Sequence, residues 1–263
     1  MTTERVSYCD SSTDFDDVIR HLRNKNINVF PSRWTPMLKM LHRLHRKVTK
    51  LRWRALHNAG WQTVVSEQIV EPGLMLRYIR PDERRVLDFG GYESLLPLTL
   101  SALGHDVTVL DQRAYPFKGP SLHSVAADLF EQSPLAPESF DLVLSVSTIE
   151  HLGLGGYKDV EVSDGDRLGV ERLWQFVRPG GRLMATVPAG RPAVQRGYRT
   201  YDEPRIRAVF PPLSTLLWFK KDGRLGNWSA ANVNDIASLT YGEPLGEMPA
   251  EAVAFLIAQK STS

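Results

Sequence analysis

Residues 66–263 predict an α/β fold: a parallel sheet with helices on both faces. Three observations carry that prediction. From Arg85 onward, short apolar runs alternate with stretches of helical spacing. The first run ends in a glycine pair, Gly90-Gly91. The run Phe140-Asp-Leu-Val-Leu-Ser-Val146 is nearly continuously apolar, as a strand covered on both faces requires.

Taken in order, Arg85–Phe89 is the first strand, and a helix is expected over Ser94–Leu103, stopped by Gly104. Asp106–Leu110 is the second strand and His123–Ala127 the third. The fourth is Phe140–Val146. A helix over Asp166–Val177 ends at Pro179-Gly180-Gly181, and Arg182–Val187 is the fifth strand. Two further β-like stretches, Thr215–Lys220 and Ala252–Gln259, complete the sheet.

The first 65 residues differ in kind. Between Val18 and Ser66 there are eleven Lys or Arg and no Asp or Glu, although the whole chain carries only +2. Within that block Met37, Leu38, Leu41, Leu44, Val48 and Leu51 fall on one face of a helix spanning Thr35–Leu56. The reading is an N-terminal basic helical extension (1–65) ahead of the α/β domain (66–263). Its apolar stripe can dock on that domain, or its charge can meet an anionic acceptor or a lipid-linked substrate. Trp34 and Trp53 are too few for a stacking platform, so nucleic acid is disfavoured.

With 42% hydrophobic and 24% charged residues the chain is expected to be globular. A single cysteine, Cys9, excludes an internal disulfide and a cysteine-rich zinc site. The polar, acidic first residues lack the apolar core of a signal peptide, and no run reaches the roughly 20 apolar residues of a membrane span. A cytoplasmic location is expected.

In open parallel sheets, ligands bind beyond the carboxyl ends of the strands. Asp88-Phe89-Gly90-Gly91 follows the first strand, and glycines there let the backbone approach a ligand. Asp111-Gln112 ends the second strand; a carboxylate in that place can accept from both ribose hydroxyls of an adenosine. Asp128-Leu129 follows the third strand, and its carboxylate can accept from an adenine amino group. A nicotinamide dinucleotide fits less well, because the loop reads G-G-Y-E-S-L and Glu93 would repel a pyrophosphate.

On these residues the chain resembles the class I S-adenosylmethionine-dependent methyltransferases. Asp88 and Gly90 match the first motif, Asp111 the second-strand acid, Asp128 the third-strand acid, and Pro179–Gly181 the turn before the fifth strand. The resemblance implies a doubly wound, seven-stranded, mostly parallel sheet with an antiparallel last strand. It implies S-adenosyl-L-methionine held by Asp88, Phe89, Gly90, Gly91, Asp111, Gln112, Asp128, Leu129 and Ser145. Tyr92 and Ser94 stand where the family often has further glycines, and Tyr92 and Glu93 are expected near the methionine end.

Past the fourth strand, Ser147-Thr-Ile-Glu150-His151 lies where an acceptor should meet the methyl group. His151 can act as general base for a hydroxyl, with Glu150 orienting it or binding a cation. The segment resembles the E-x-x-E-H ending of quinone-type O-methyltransferases, with Ser147 in place of the first acid. A divalent cation such as Mg would need more ligands, for which Asp159, Glu161, Asp164 and Asp166 are the candidates. Tyr157, Arg191, Tyr198, Arg199 and Tyr201 are expected to face the acceptor. Ser147–Gly156 together with Arg199–Asp202 is similar to bacterial methyltransferases of glycan and natural-product sugars. The expected reaction is O-methylation of a sugar or glycan-type hydroxyl. Another small hydroxylated metabolite, or a scaffold that binds the cofactor without catalysis, is the alternative. A homo-oligomer is compatible with the sequence.

Overall fold

The computed structural model describes residues 66–131, 135–155, 161–195, 197–222, 227–239 and 251–262. All belong to one compact unit, Thr63–Ser263. The basic block below Ser66 and the helix expected over Thr35–Leu56 lie outside the described residues. No helix among the described residues is long and apolar enough to cross a membrane.

Helix α1 (Glu67–Tyr78) leads into strand β1 (Arg85–Phe89), a 3-10 turn (Gly91–Glu93) and α2 (Leu96–Ala102). Strands β2 (Asp106–Asp111), β3 (Leu122–Ala126) and β4 (Phe140–Val146) follow. A second 3-10 turn (Ile149–His151) precedes α3 (Gly165–Phe176) and β5 (Val177–Pro188). A small hairpin of β6 (Ala193–Gln195) and β7 (Tyr198–Thr200) leads to α4 (Glu203–Val209) and β8 (Leu213–Lys221). The remaining elements are β9 (Trp228–Ala231), α5 (Val233–Ala237) and β10 (Ala252–Gln259).

The sheet runs β3-β2-β1-β4-β5-β10-β8-β9. Strands β1 to β5 are parallel, and β10 is antiparallel to both neighbours, β5 and β8. This is a mostly parallel α/β sheet with an antiparallel late strand. Among the described residues the sheet has eight strands, where seven were expected. The eighth, β9, pairs antiparallel with β8 and covers what would otherwise be an open edge. Four residues, Trp-Ser-Ala-Ala, are too short and too small to show a strand's alternation in sequence.

Several boundaries differ from the sequence reading by a residue or more, and two of them have a clear cause. Helix α2 starts only at Leu96, because a 3-10 turn intervenes and Pro97 fits the first helical turn. Strand β5 begins at Val177, which pairs with Phe140 ahead of the glycine turn, and its ladder resumes at Arg182 opposite Leu142.

Both faces of the central strands β1, β4, β5 and β10 are buried, and the period of two is visible in the core. Val86, Leu142, Leu144, Met184 and Phe255 pack on the α1/α2 side. Leu87, Val143, Leu183, Ala185 and Leu256 pack on the α3/α4 side. Helix α1 docks through Met75, and the Tyr78 ring lies 4.8 Å from that of Phe255. Its end is tied down by Arg182 of β5, which donates to both oxygens of Glu83 and to the Tyr78 carbonyl. Glu83 and Arg182 are both buried, so this pair fixes α1 against the sheet.

Candidate active site

The carboxyl ends of β1 to β4 open onto a cleft of about 610 Å³. At β1 the chain turns sharply. Gly90 has φ +77°, and its N–H donates to the Leu110 carbonyl at 2.9 Å. A Cβ there would sit 2.3 Å from the Thr148 methyl, so this position accepts glycine alone. Asp88 lines the cleft while being almost wholly buried. One of its carboxylate oxygens, Oδ2, has no hydrogen-bond partner. Burial, and then the neighbouring Asp111 charge, push its carboxyl up to about 7.

At the end of β2, Asp111 is held from two sides. Its Oδ1 accepts from the Arg113 amide at 3.0 Å and its Oδ2 from the Tyr92 amide at 3.3 Å. The Arg113 guanidinium lies 3.8 Å over the Tyr92 ring and 3.2 Å from Glu93. Tyr92 and Glu93 therefore gather at the Asp111 end of the cleft. Gln112 donates to Asp128 Oδ2 at 3.2 Å, and Asp128 Oδ1 accepts from the Phe130 amide at 2.8 Å. Leu129 is buried beside them.

Asp88, Phe89, Gly90, Gly91, Asp111, Gln112, Asp128 and Leu129 all line this one cleft. The fit to an adenosyl cofactor is good: an orphaned carboxylate oxygen at β1, a turn with no room for a side chain, and an anchored carboxylate at β2. Ser145 lies apart from these residues, fully buried within β4, its hydroxyl without a partner.

Beyond β4 the backbone is unusual. Ser147 adopts φ +42°, a left-handed conformation that non-glycine residues rarely take. It turns the following residues into the 3-10 turn Ile149–His151, which brings His151 to the cleft wall. His151 Nδ1 lies 2.6 Å from the Gly197 carbonyl. A carbonyl only accepts, so Nδ1 carries the proton and Nε2 is the basic nitrogen of the neutral ring. Glu150 Oε1 is 4.0 Å from Nε2. The histidine is thus oriented by the Gly197 backbone rather than by Glu150, which is buried beneath the cleft floor.

The expected acceptor residues separate. Tyr157 lies outside the described residues, as does Asp159. Arg191 is exposed, Tyr198 is half-buried, and neither lines the cleft. Arg199 is buried and donates to the carbonyls of Glu150 and Leu152, at 3.3 and 2.6 Å. Tyr201 is fully buried, its hydroxyl donating to Asp166 Oδ2 at 3.2 Å. Arg205 pairs with the same Asp166 carboxylate. Arg199 thus holds the turn after β4, while Tyr201 and Arg205 clamp Asp166 at the start of α3, so the partners of all three are internal.

Asp166 is consumed by that clamp, Asp164 pairs with Arg167, and Glu161 is exposed. No group of three or more His, Cys, Asp or Glu among the described residues is arranged to hold a metal ion.

One residue of the site was not anticipated. Glu71 of α1 is fully buried, lines the cleft, and accepts from the Ser147 hydroxyl at 2.6 Å. Its other oxygen has no hydrogen-bond partner among the described residues. Burial pushes its carboxyl up to about 7 against the pull of Ser147 and Thr186. Burial likewise raises Glu150 well above the carboxylate range. The available signal was Glu71 standing four residues before Met75, on the stripe that the helix buries.

Residues 120–225 match the family model described as "Caenorhabditis protein of unknown function, DUF268". No curated protein matches the chain. Among solved structures, the chain is similar to 1,6-didemethyltoxoflavin-N1-methyltransferase of Burkholderia thailandensis, at 17% identity and a TM-score of 0.47, covering 89% of this chain and 93% of that one. It is similar to a SAM-dependent methyltransferase of Methanosarcina mazei at 13% identity and a TM-score of 0.48, covering 72% and 98%. It is also similar to the N-methyltransferase NodS of Bradyrhizobium japonicum at 11% identity and a TM-score of 0.45, covering 68% and 78%.

Proposed function

We propose that this chain is an S-adenosyl-L-methionine-dependent methyltransferase acting on a hydroxyl of a sugar or glycan-type acceptor. The observation that carries the methyltransferase reading is the single cleft beyond β1 to β4 in which Gly90, Asp88, Asp111 and Asp128 come together. Asp111 would hold the ribose, Asp128 with Gln112 the adenine, and the Gly90 turn would admit the ligand against bare backbone. When bound, the cofactor supplies a methyl group on a positively charged sulfur, with a neutral thioether as the leaving group.

The rest falls to the protein's own residues. His151 stands at the β4 end of the cleft with its tautomer set by Gly197, so Nε2 can take a hydroxyl proton as the acceptor oxygen becomes the nucleophile. Arg199, through the carbonyls of Glu150 and Leu152, keeps that turn in place. The hydroxyl acceptor is supported by this histidine and by the sequence resemblance after β4 and β5.

Calorimetric titration with S-adenosylmethionine tests the reading. Saturable binding is expected, and Asp111→Ala should weaken it by about 1.5–3 kcal/mol, the value of hydrogen bonds to a charged group. Unaltered affinity in that variant would remove Asp111 from the site, and no binding by the unaltered protein would end the proposal. Release of S-adenosylhomocysteine over a panel of sugars then identifies the acceptor.

A further inference from the structure

We infer that Glu71, with Glu150 behind it, forms a subsite for an ammonium group at the β4 end of the cleft. The ammonium group would come either from the methionine end of the methyl donor or from a basic acceptor. The inference rests on the methyltransferase reading for the first source and stands without it for the second.

The geometry is that of buried carboxyls whose acceptor oxygens are only partly used. Glu71 is fully buried yet lines the cleft, and Oε2 has no partner there. Glu150 is also buried with an unpartnered Oε2. Ser147 gives its one hydroxyl proton to Glu71 Oε1.

Every element packed here adds acid or a neutral group. Glu67 lies one turn earlier on α1, Glu150 and His151 come from the turn after β4, and Thr186 comes from β5. Among the described residues no Lys or Arg is paired with Glu71. Burial raises both carboxyls; the neighbouring Glu67 charge adds to the rise of Glu71, and the Glu71 and Glu67 charges add to that of Glu150.

An orphaned, buried carboxylate oxygen costs stability unless a ligand completes it. Three features narrow that ligand. No three His, Cys, Asp or Glu among the described residues are arranged to hold a metal ion. It offers only acceptors once Glu71 ionises, which calls for N–H donors. An ammonium group, with three donors on one atom and a full charge, meets Glu71 Oε2 and leaves two N–H groups for nearby oxygens. The left-handed Ser147, which aims its hydroxyl at Glu71, is the strained feature expected beside a binding site.

Pairing with an ammonium group makes Glu71 ionise, so binding should release a proton. Calorimetry near pH 6, in two buffers of different ionisation heat, measures that release. The probes are S-adenosylhomocysteine, which carries the ammonium group, and methylthioadenosine, which lacks the amino-acid portion. Ethanolamine is then titrated into the S-adenosylhomocysteine complex. About one extra proton for S-adenosylhomocysteine over methylthioadenosine, lost in Glu71→Gln with affinity down roughly ten- to a hundredfold, assigns the subsite to the donor. Equal release for the two nucleosides, but a proton released by ethanolamine in the unaltered protein and not in Glu71→Gln, assigns it to the acceptor.

No extra proton in either arm, with S-adenosylhomocysteine binding normally, overturns the subsite and leaves the methyltransferase reading intact. If S-adenosylhomocysteine does not bind, that reading falls, and ethanolamine titrated into the ligand-free protein decides Glu71. The nucleoside comparison needs only the unaltered protein, so an unfolded variant cannot block the test.

Discussion

His151 has two nitrogens in different circumstances, and the difference decides what the residue can do. Nδ1 is committed to the Gly197 carbonyl, so the ring's basic site is Nε2. A general base in this position contributes about a hundred- to ten-thousandfold to rate. His151→Ala should therefore lower turnover on that scale while leaving the affinity for S-adenosylmethionine unchanged. Single-turnover rates and cofactor titration on the same preparation separate the two quantities. Retained turnover would move the base elsewhere, and a parallel loss of cofactor affinity would make the ring structural. The hydrogen bond that sets the tautomer was invisible in sequence, because Gly197 lies 46 residues away and reaches the histidine only through the β6–β7 hairpin.

At the scale of elements, the turns after the strands carry the site, and the first is the most constrained. Gly90→Ala would force an alanine into the left-handed region, at about 1–2 kcal/mol, and drive its Cβ into Thr148. Cofactor affinity should fall with stability, since the same turn shapes the cleft. A variant with both properties unchanged would contradict the close approach described here. Strands β1 and β4 were legible to the residue, because apolar runs bounded by charged or turn residues leave little choice of limits. Asp88, Asp111 and Asp128 were legible because each stands at or just after a strand end. Glu71 was not, since it belongs to a helix with no motif. Arg199 and Tyr201 show the converse: polar residues in a segment that read as a loop, which Asp166 draws into the interior. Strand β9 left too little pattern to find.

Across the whole molecule, the buried acids set a pH dependence of known sign. Glu71 and Asp88 titrate near 7 in the folded protein, against ordinary values of 4.5 and 3.8, and Glu150 is raised in the same direction. Between those ordinary values and about 7, the folded state binds more protons than the unfolded one, so stability falls as pH rises. The contribution is fully present below the ordinary values and gone above about 7. For one such acid it is on the order of 3 kcal/mol. The urea midpoint should drop between pH 5 and 7.5, and Glu71→Gln should make that slope shallower. A midpoint that climbs through this range would show that these carboxyls are charged in the folded state.

The place of β10 has a consequence for biosynthesis. Strand β10 sits between β5 and β8, yet β5 ends at Pro188 and β10 begins only at Ala252. On the ribosome, β1 to β5 and β8 all emerge before β10, and their two halves cannot join until β10 slides between them. Until then the nascent chain shows two raw strand edges, those of β5 and β8, both apolar and both competent to pair with a neighbour on the same polysome. A stalled or nicked chain that ends before Ala252 would keep the Gly90 turn and the Asp111 carboxylate in its sequence and still be a target for chaperones and proteases. Completion of the sheet is thus placed at β10, far along the chain from the residues of the candidate site.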